Sequence, residues 1–261
     1  GKYADYRFWV KAIILLLSWI TLYLFVILSN PGLTWSYIAA ILWGLTSMLI
    51  VLNIGHDAVH DSVSSDKRIN KLLGCTFNIV GGNSYSWMLQ HVQSHHPHTN
   101  VKGKDFDFDL DPIFRFSPLH KWRMNYRWQH IYFIFIYPLF SLIIICITDF
   151  RILSQCADKK YTLWHPLKEW LILIASKLLY FSLVFIIPIY IGHFSLTHAL
   201  IAFLTINLIN GLLLAILFMP SHYFSGSFFY DDNNSTTQIN WHERQIRSTL
   251  DFNIGGDKGA Y

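Results

Sequence analysis

Long apolar stretches alternate with shorter polar segments along this chain. Several of the apolar stretches approach or reach the length of about 20 residues that crosses the hydrocarbon core of a bilayer as a helix. They cover residues 12–28, 35–52, 131–148, 170–192 and 196–219. Because only helices and closed barrels satisfy their backbone groups inside a bilayer, the pattern predicts an all-α, polytopic integral membrane protein. We expect one membrane domain over residues 1–261.

The composition agrees with this pattern. Charged residues make up 14% of the chain and the mean hydropathy is +0.34, whereas a soluble domain carries about 25% charged residues. The basic residues set the expected orientation. Residues 29–34 and 193–198 contain no Lys or Arg, while residues 53–130 contain nine. By the positive-inside rule, residues 53–130 and the amino terminus are cytoplasmic. The net charge of +4 then reflects loops beside anionic headgroups, so we expect no nucleic acid partner.

The number of crossings follows from this orientation. Five crossings would place the polar segment after residue 219 outside the cell, and four would return it to the cytoplasm. Pro138 interrupts the apolar stretch 131–148, which makes this stretch the best candidate for an interfacial or re-entrant element. Lys177 lies inside another stretch, where we expect it to snorkel or to face protein. The sequence thus predicts interfacial helices and about four transmembrane helices, at residues 12–28, 35–52, 170–192 and 196–219.

Two histidine clusters lie in the cytoplasmic segment. The first is HDAVH and the second is HVQSHH, and together they supply His56, His60, His91, His95 and His96. On a helix, residues four apart share a face, so each cluster offers a pair of imidazole ligands. Imidazole suits iron, zinc, copper and nickel, and neither cluster contains the Cys that structural zinc sites often use. Five imidazoles fit two metal ions better than one. We expect Asp57 and Asp61 to accept imidazole N–H groups.

The other polar candidates are expected to have lesser roles. His98 lies off the spacing of the second cluster and is expected beside the site or in a loop. The acidic run Asp105–Asp111 lacks the Gly and Glu of a calcium loop, and we expect a solvated loop near the mouth of the site. Four single histidines in cytoplasmic loops are expected at the surface or at the membrane interface; these are His120, His130, His165 and His242.

These motifs resemble the membrane fatty acid desaturases, in particular the front-end, linoleoyl-CoA-desaturase-like branch. The segment NIGHDAVH matches the first histidine box of that family, and WMLQHVQSHHPHTN matches the second. The acidic run DFDFD, the later QHIY and the segment WHERQIRSTLDF are also similar to that branch. The similar segments extend over nearly the whole chain.

The resemblance implies an O2-dependent oxidoreductase that removes two hydrogens from adjacent methylenes of a fatty acyl chain. The substrate would be an acyl-CoA or a lipid-linked acyl chain. A diiron site of two Fe ions would carry the chemistry on the cytoplasmic side, and no side chain is assigned as catalytic. Because the chain contains no CxxCH, GxGxxG or cytochrome b5 sequence, a separate ferredoxin or cytochrome b5 would supply electrons. The implied metal ligands are His56, His60, His91, His95, His96 and His222, the last at the cytoplasmic end of the final span.

The family has a third histidine box, of the form QxxHH in this branch, shortly after the segment that matches residues 241–252. Residues 253–261 contain no such box. Either the natural protein extends beyond these residues, which we expect, or it lacks ligands that a second iron would need.

Two other functions are open from the sequence. A related histidine-rich diiron hydroxylase or ketolase would insert oxygen into a lipid without forming an alkene. A metal transporter would carry ionisable ligands along its spans, whereas Lys177 is the one charged residue deep within a predicted span.

Overall fold

The computed structural model describes residues 3–105, 107, 110–154, 165–224, 226–231 and 240–249. Within these ranges the chain is helical and has no β-strand, apart from one isolated β-bridge between Val101 and Tyr230. The all-α prediction is confirmed. The helices are α1 (Tyr6–Ser29), α2 (Leu33–Val59), α3 (Lys67–Gly74), α4 (Thr76–Ile79), α5 (Ser84–Trp87), α6 (Met124–Ser154), α7 (Leu167–Tyr190), α8 (Leu196–His222) and α9 (Trp241–Arg247).

Two π-helical runs lie beside the histidine clusters. In α2 the run Val51–Gly55 comes directly before the first cluster. After α5 the chain continues as the π-helical run Met88–His95 and then as the 3₁₀ turn His96–His98. Such i→i+5 turns are rare and are frequently found at functional sites, although two more lie in α6 and α7, at Ile144–Thr148 and Ser182–Ile186.

Five helices are long and apolar enough to cross a membrane: α1, α2, α6, α7 and α8. Four of them match the stretches predicted to cross, although α7 ends at Tyr190, two residues before the end of the predicted stretch 170–192. The fifth, α6, contains the stretch 131–148 and remains continuous at Pro138 through a 3₁₀ turn at Tyr137–Leu139. Length and composition do not place a helix relative to a bilayer, so the interfacial or re-entrant position of this stretch stays a prediction.

The chain forms two compact units. The first unit comprises residues 1–89 and 136–213, and the second comprises residues 90–135 and 214–261. Both α6 and α8 contribute residues to each unit. A division into compact units does not test whether residues 1–261 form one membrane domain, so that stays a prediction.

Close helix approaches organise the first unit. A Cβ at Gly44 of α2 would clash with Ile206 of α8, and a Cβ at Gly211 would clash with the backbone carbonyl of Pro138 in α6. These glycines therefore let α8 approach α2 and α6 more closely than any larger residue would permit. Trp43 lies in the same buried cluster as Ile206.

A polar connection is buried among the same helices. Asn207 of α8 is 1% exposed. Its amide group donates to the Tyr180 hydroxyl over 3.1 Å, and its side-chain oxygen accepts from Ser141 Oγ over 2.9 Å. These bonds join α6, α7 and α8, and they satisfy polar atoms that would be costly to bury without partners.

A buried ion pair joins α6 to α7. Lys177 Nζ lies 2.5 Å from Asp149 Oδ2 and donates to the Gly81 carbonyl over 2.6 Å. The other Asp149 oxygen accepts from the Ser86 hydroxyl in α5. Lys177 is 5% exposed and Asp149 is 3% exposed. Lys177 therefore faces protein, which is one of the two arrangements expected from the sequence.

Candidate metal centre

The first histidine cluster lies in the first unit, at the carboxyl end of α2. The imidazole centroids of His56 and His60 are 4.6 Å apart, and Asp57 Oδ1 lies 3.4 Å from His56 Nδ1. Gly55 precedes them where a Cβ would meet Phe77 Cδ2 at 2.7 Å. The Phe77 ring can therefore pack against the turn before His56 only because residue 55 is glycine. Asp61, the other predicted acceptor, is exposed.

The second cluster lies in the second unit, and its backbone changes which histidines meet. His91 Nε2 lies 3.1 Å from His96 Nε2, five residues further along the chain. This pairing follows the i→i+5 register of the π-helical run, whereas an α-helix would bring residues four apart onto one face. The His91 and His95 rings also stack, with centroids 5.5 Å apart.

His222 joins the second cluster from the end of α8. Its Nε2 atom lies 3.2 Å from His95 Nε2. His222, which the resemblance implies as a ligand, therefore lies against the second cluster within the second unit, and its role as a ligand stays a prediction. The structure brings together His91, His95, His96 and His222 within this unit.

These donor atoms fit a metal ion. Ligand atoms of His91, His95 and Asp107 lie within 4.8 Å of one another. The Nε2 atoms of His95 and His222 also lie at hydrogen-bond distance, and imidazole nitrogens are ligands that suit iron, zinc, copper and nickel. That His56 and His60 serve the same centre stays a prediction.

A buried carboxylate orients His95. Asp105 Oδ1 lies 3.0 Å from His95 Nδ1, and Asp105 is 0% exposed. Burial opposes protonation of His95, but the hydrogen bond with Asp105 and the charges of Asp107 and Asp105 outweigh it and raise the pKa of His95. A carboxylate on Nδ1 fixes the ring and leaves Nε2 as the ligand atom. The expectation of a solvated acidic loop is wrong for Asp105.

Asp107 lies near the Nδ1 atoms of both His91 and His95. Its Oδ2 atom is 3.6 Å from His91 Nδ1 and 3.9 Å from His95 Nδ1, and Gln90 donates to its Oδ1 atom. Burial alone would raise the pKa of the Asp107 carboxyl, but hydrogen bonding with His91 and the charge of His95 lower it. Asp107 is therefore an ionised neighbour of the nitrogen donors. Residues 106, 108 and 109 of the acidic run lie outside the described residues.

Asn100 ties the second cluster to the chain that follows α8. It is fully buried, and its amide donates to the His222 carbonyl over 3.3 Å, to Ser227 Oγ over 2.8 Å and to the Phe228 carbonyl over 3.1 Å. Its backbone N–H donates to Asp105 Oδ2 over 2.9 Å. One side chain and one backbone group thus connect the carboxylate behind His95 with the backbone of His222.

The helix α9 also contacts the histidines. Gln245 Nε2 donates to the His96 carbonyl over 3.0 Å, and His222 Nδ1 lies 3.1 Å from the Ser248 carbonyl. Sequence reasoning assigned no role to Asn100 or Gln245, and it placed Asp105 in a solvated loop. The signal was present, since each lies in a segment that carries the family resemblance.

Some of the remaining histidines have the predicted exposure and others do not. His130 and His242 are exposed as expected, and His98 Nδ1 lies 3.1 Å from the Ser94 carbonyl. The surface prediction is wrong for His120 and His165, which are 7% and 8% exposed. His165 Nδ1 lies 3.1 Å from the Tyr85 hydroxyl in the first unit, and this contact explains how its polar ring is buried.

A sequence model described as fatty acid desaturase matches residues 32–257 of this chain. The chain belongs to the fatty acid desaturase family. Residues 56–60, 91–96 and 222 all lie within the matched part. The resemblance inferred from the two histidine boxes is confirmed by this match.

Curated members of the family are similar over most of the chain. It is 28% identical over 244 residues to an sn-1 linoleoyl-lipid 6-desaturase from Arthrospira platensis, covering 91% of this chain and 65% of that protein. It is 31% identical over 204 residues to an sn-1 linoleoyl-lipid 6-desaturase from Synechocystis sp., covering 77% and 56%.

A fungal relative is similar to the same degree. An acyl-lipid (8-3)-desaturase from Mortierella alpina is 29% identical over 231 residues, covering 84% of this chain and 50% of that protein. The chain therefore spans about half to two thirds of the length of these relatives. No solved structure gives a significant match to the chain.

Proposed function

We propose that this protein is an O2-dependent fatty acyl desaturase that forms a double bond by removing two hydrogens from adjacent methylenes. The observation that carries the proposal is the convergence of imidazole nitrogens in the second unit. His95 Nε2 and His222 Nε2 lie 3.2 Å apart although 127 residues separate them in the chain. A contact between two such distant imidazoles, backed by a buried carboxylate, needs a reason beyond packing, and a shared metal supplies one.

The proposed ligands of two iron ions are His56, His60, His91, His95, His96 and His222. Iron, when bound there, would supply the O2 and one-electron chemistry that removal of unactivated hydrogens demands. The side chains of this chain have other tasks. Asp105 holds His95 through Nδ1 and so presents Nε2 inward. Asn100 holds the backbone of His222.

The proposed substrate is a lipid-linked acyl chain. The cited relatives carry names that specify linoleoyl-lipid or acyl-lipid substrates, whereas the histidine boxes alone are equally compatible with acyl-CoA. The site is proposed on the cytoplasmic side because the basic residues concentrate in the segment that contains both clusters. A ferredoxin or cytochrome b5 would deliver electrons there. Removal of two hydrogens with reduction of O2 to two waters needs two further electrons from this donor.

Expression of the protein in a host with a defined lipid profile tests the proposal. We expect a new unsaturated acyl chain by gas chromatography–mass spectrometry, and its position within intact lipids by tandem mass spectrometry. H95A should abolish the product, and H130A, which alters an exposed histidine, should retain it. An inserted oxygen without a new alkene would identify a hydroxylase or ketolase instead. Equal activity of H95A and the unmodified protein would contradict the proposed metal site.

A further inference from the structure

A basic and aromatic surface lies in the second unit, at the start of α6. Its residues are Lys121–Trp128, and we call it the basic–aromatic segment. Its large apolar side chains point outward: Trp122 is 59% exposed, Met124 is 67% exposed and Trp128 is 54% exposed. Lys121 and Arg127 are exposed beside them. Large apolar side chains gathered this way on a protein surface indicate an interaction site.

The segment is held in place from its buried side. Tyr126 is 6% exposed and its hydroxyl donates to Asp111. Arg123 donates to both carboxylate oxygens of Asp111, at 3.2 and 3.1 Å. Asn125 Nδ2 donates to the Pro112 carbonyl over 2.8 Å. The outward side chains are therefore presented by an ordered backbone.

The charge balance of the segment is positive. Arg123 is neutralised by Asp111, but neither Lys121 nor Arg127 forms an ion pair with a carboxylate in the described part of the chain. The Arg127 guanidinium lies 5.6 Å from the centroid of the Trp128 ring. Two cationic side chains next to two exposed tryptophans remain available to a partner.

The residues that follow the basic–aromatic segment in α6 indicate which kind of partner it contacts. The side chains that follow it in α6 are apolar and exposed, with Ile134 at 57% and Phe135 at 72%. Such a surface suits contact with hydrocarbon, and a helix that enters a bilayer has its first turn at the boundary between hydrocarbon and water. Tryptophan is enriched at that boundary, and Lys and Arg near a helix end extend their charges to the headgroups.

We propose that the basic–aromatic segment binds the phosphates of anionic phospholipids in the membrane surface. Lys121 and Arg127 contact the phosphates, and Trp122 and Trp128 lie among the headgroups and the first methylenes. An acidic protein such as a ferredoxin is the competing occupant. It is disfavoured because burying these tryptophans against protein would remove the start of α6 from the lipid boundary that its exposed Ile134 and Phe135 require.

Lipid selectivity measured on the purified, detergent-solubilised chain tests this surface. Native mass spectrometry would compare retention of phosphatidylglycerol and phosphatidylcholine with identical acyl chains. The test variant is K121Q/R127Q. The matched control is K67Q/R68Q, which removes the same two charges from exposed positions of α3. Unchanged thermal unfolding of both variants would show that each remains folded.

We expect the unmodified chain and K67Q/R68Q to prefer phosphatidylglycerol. In K121Q/R127Q, the ratio of retained phosphatidylglycerol to retained phosphatidylcholine should fall about fivefold for each charge removed. Absence of any preference in the unmodified chain, or equal losses in both double variants, would overturn the proposal. A plant-type ferredoxin added in a parallel titration separates the competing occupant. If K121Q/R127Q weakens ferredoxin binding and leaves lipid selectivity intact, the segment is a protein-docking surface and the proposal is wrong.

Discussion

The ion pair between Lys177 and Asp149 makes a sharp prediction about the stability of the first unit. Both side chains are buried, and the pair joins α6 to α7 while also engaging Gly81 and Ser86. Removal of one partner from a buried pair leaves an uncompensated charge and costs about 3–5 kcal/mol. We therefore expect K177M to lower the free energy of unfolding by that amount.

The double variant K177M/D149N separates the charge from the packing. It removes both charges and keeps an acceptor for the Ser86 hydroxyl. What remains is the Gly81 carbonyl without its donor, and such a lost hydrogen bond costs about 1–3 kcal/mol. The double variant should therefore be more stable than K177M by about 2 kcal/mol, although it carries one more substitution.

Denaturant-induced unfolding in detergent micelles, followed by circular dichroism, measures these differences. K168M is the matched control, because Lys168 lies on the same helix and is exposed; its effect should stay within about 0.5 kcal/mol. A cost for K177M no greater than that for K168M would refute the reasoning. So would a double variant less stable than K177M, because the pair would then stabilise through more than its charge balance.

Three further predictions concern the metal centre and helix packing. D105N should weaken binding of Co²⁺ or Fe²⁺ to the purified chain about 10–100-fold, because the carboxylate behind His95 is lost; D111N should leave this affinity unchanged, and equal effects would contradict the role of Asp105. N100A should lower the free energy of unfolding by about 1–3 kcal/mol, since three acceptors lose one donor; a change below 0.5 kcal/mol would count against it. G211A should lower the midpoint of thermal unfolding, because its Cβ would clash with the α6 backbone. G74A is the control and should leave the midpoint unchanged, because its Cβ would lie 3.6 Å from the nearest atom. Similar midpoints for the two variants would show that α8 shifts freely.

The apolar helices and the histidine clusters could be predicted because their signals are local. A run of apolar residues predicts a helix of membrane-spanning length wherever it occurs, and the HDAVH spacing brings His56 and His60 together within one helical turn. His222 was implied as a ligand for a different reason, because it matches a family histidine at the end of the final span. Its contact with His95 was not predicted, since 127 residues separate the two in the chain.

The partners of the buried charges could not be predicted in the same way. Lys177 meets Asp149 across 28 positions of sequence, and nothing in the local pattern of either helix indicates the other. Asp105 was misassigned because an acidic run is usually solvated, and its burial depends on the turn that returns it to His95. Pairing distant polar groups requires the packed tertiary structure.

The relative positions of the proposed ligands depend on the number of residues in the π-helical run Met88–His95. Because of this run, His91 meets His96, while His95 meets His222 from another element. Loss of a single residue from the part of the run before His91 would restore α-helical hydrogen bonding while His91 and His96 stayed five residues apart. His96 would then rotate away from His91, although every ligand type would still be present. Evolution can therefore vary the other side chains of this run more freely than it can vary the number of residues in the run. An insertion or deletion here would be as damaging as loss of an imidazole.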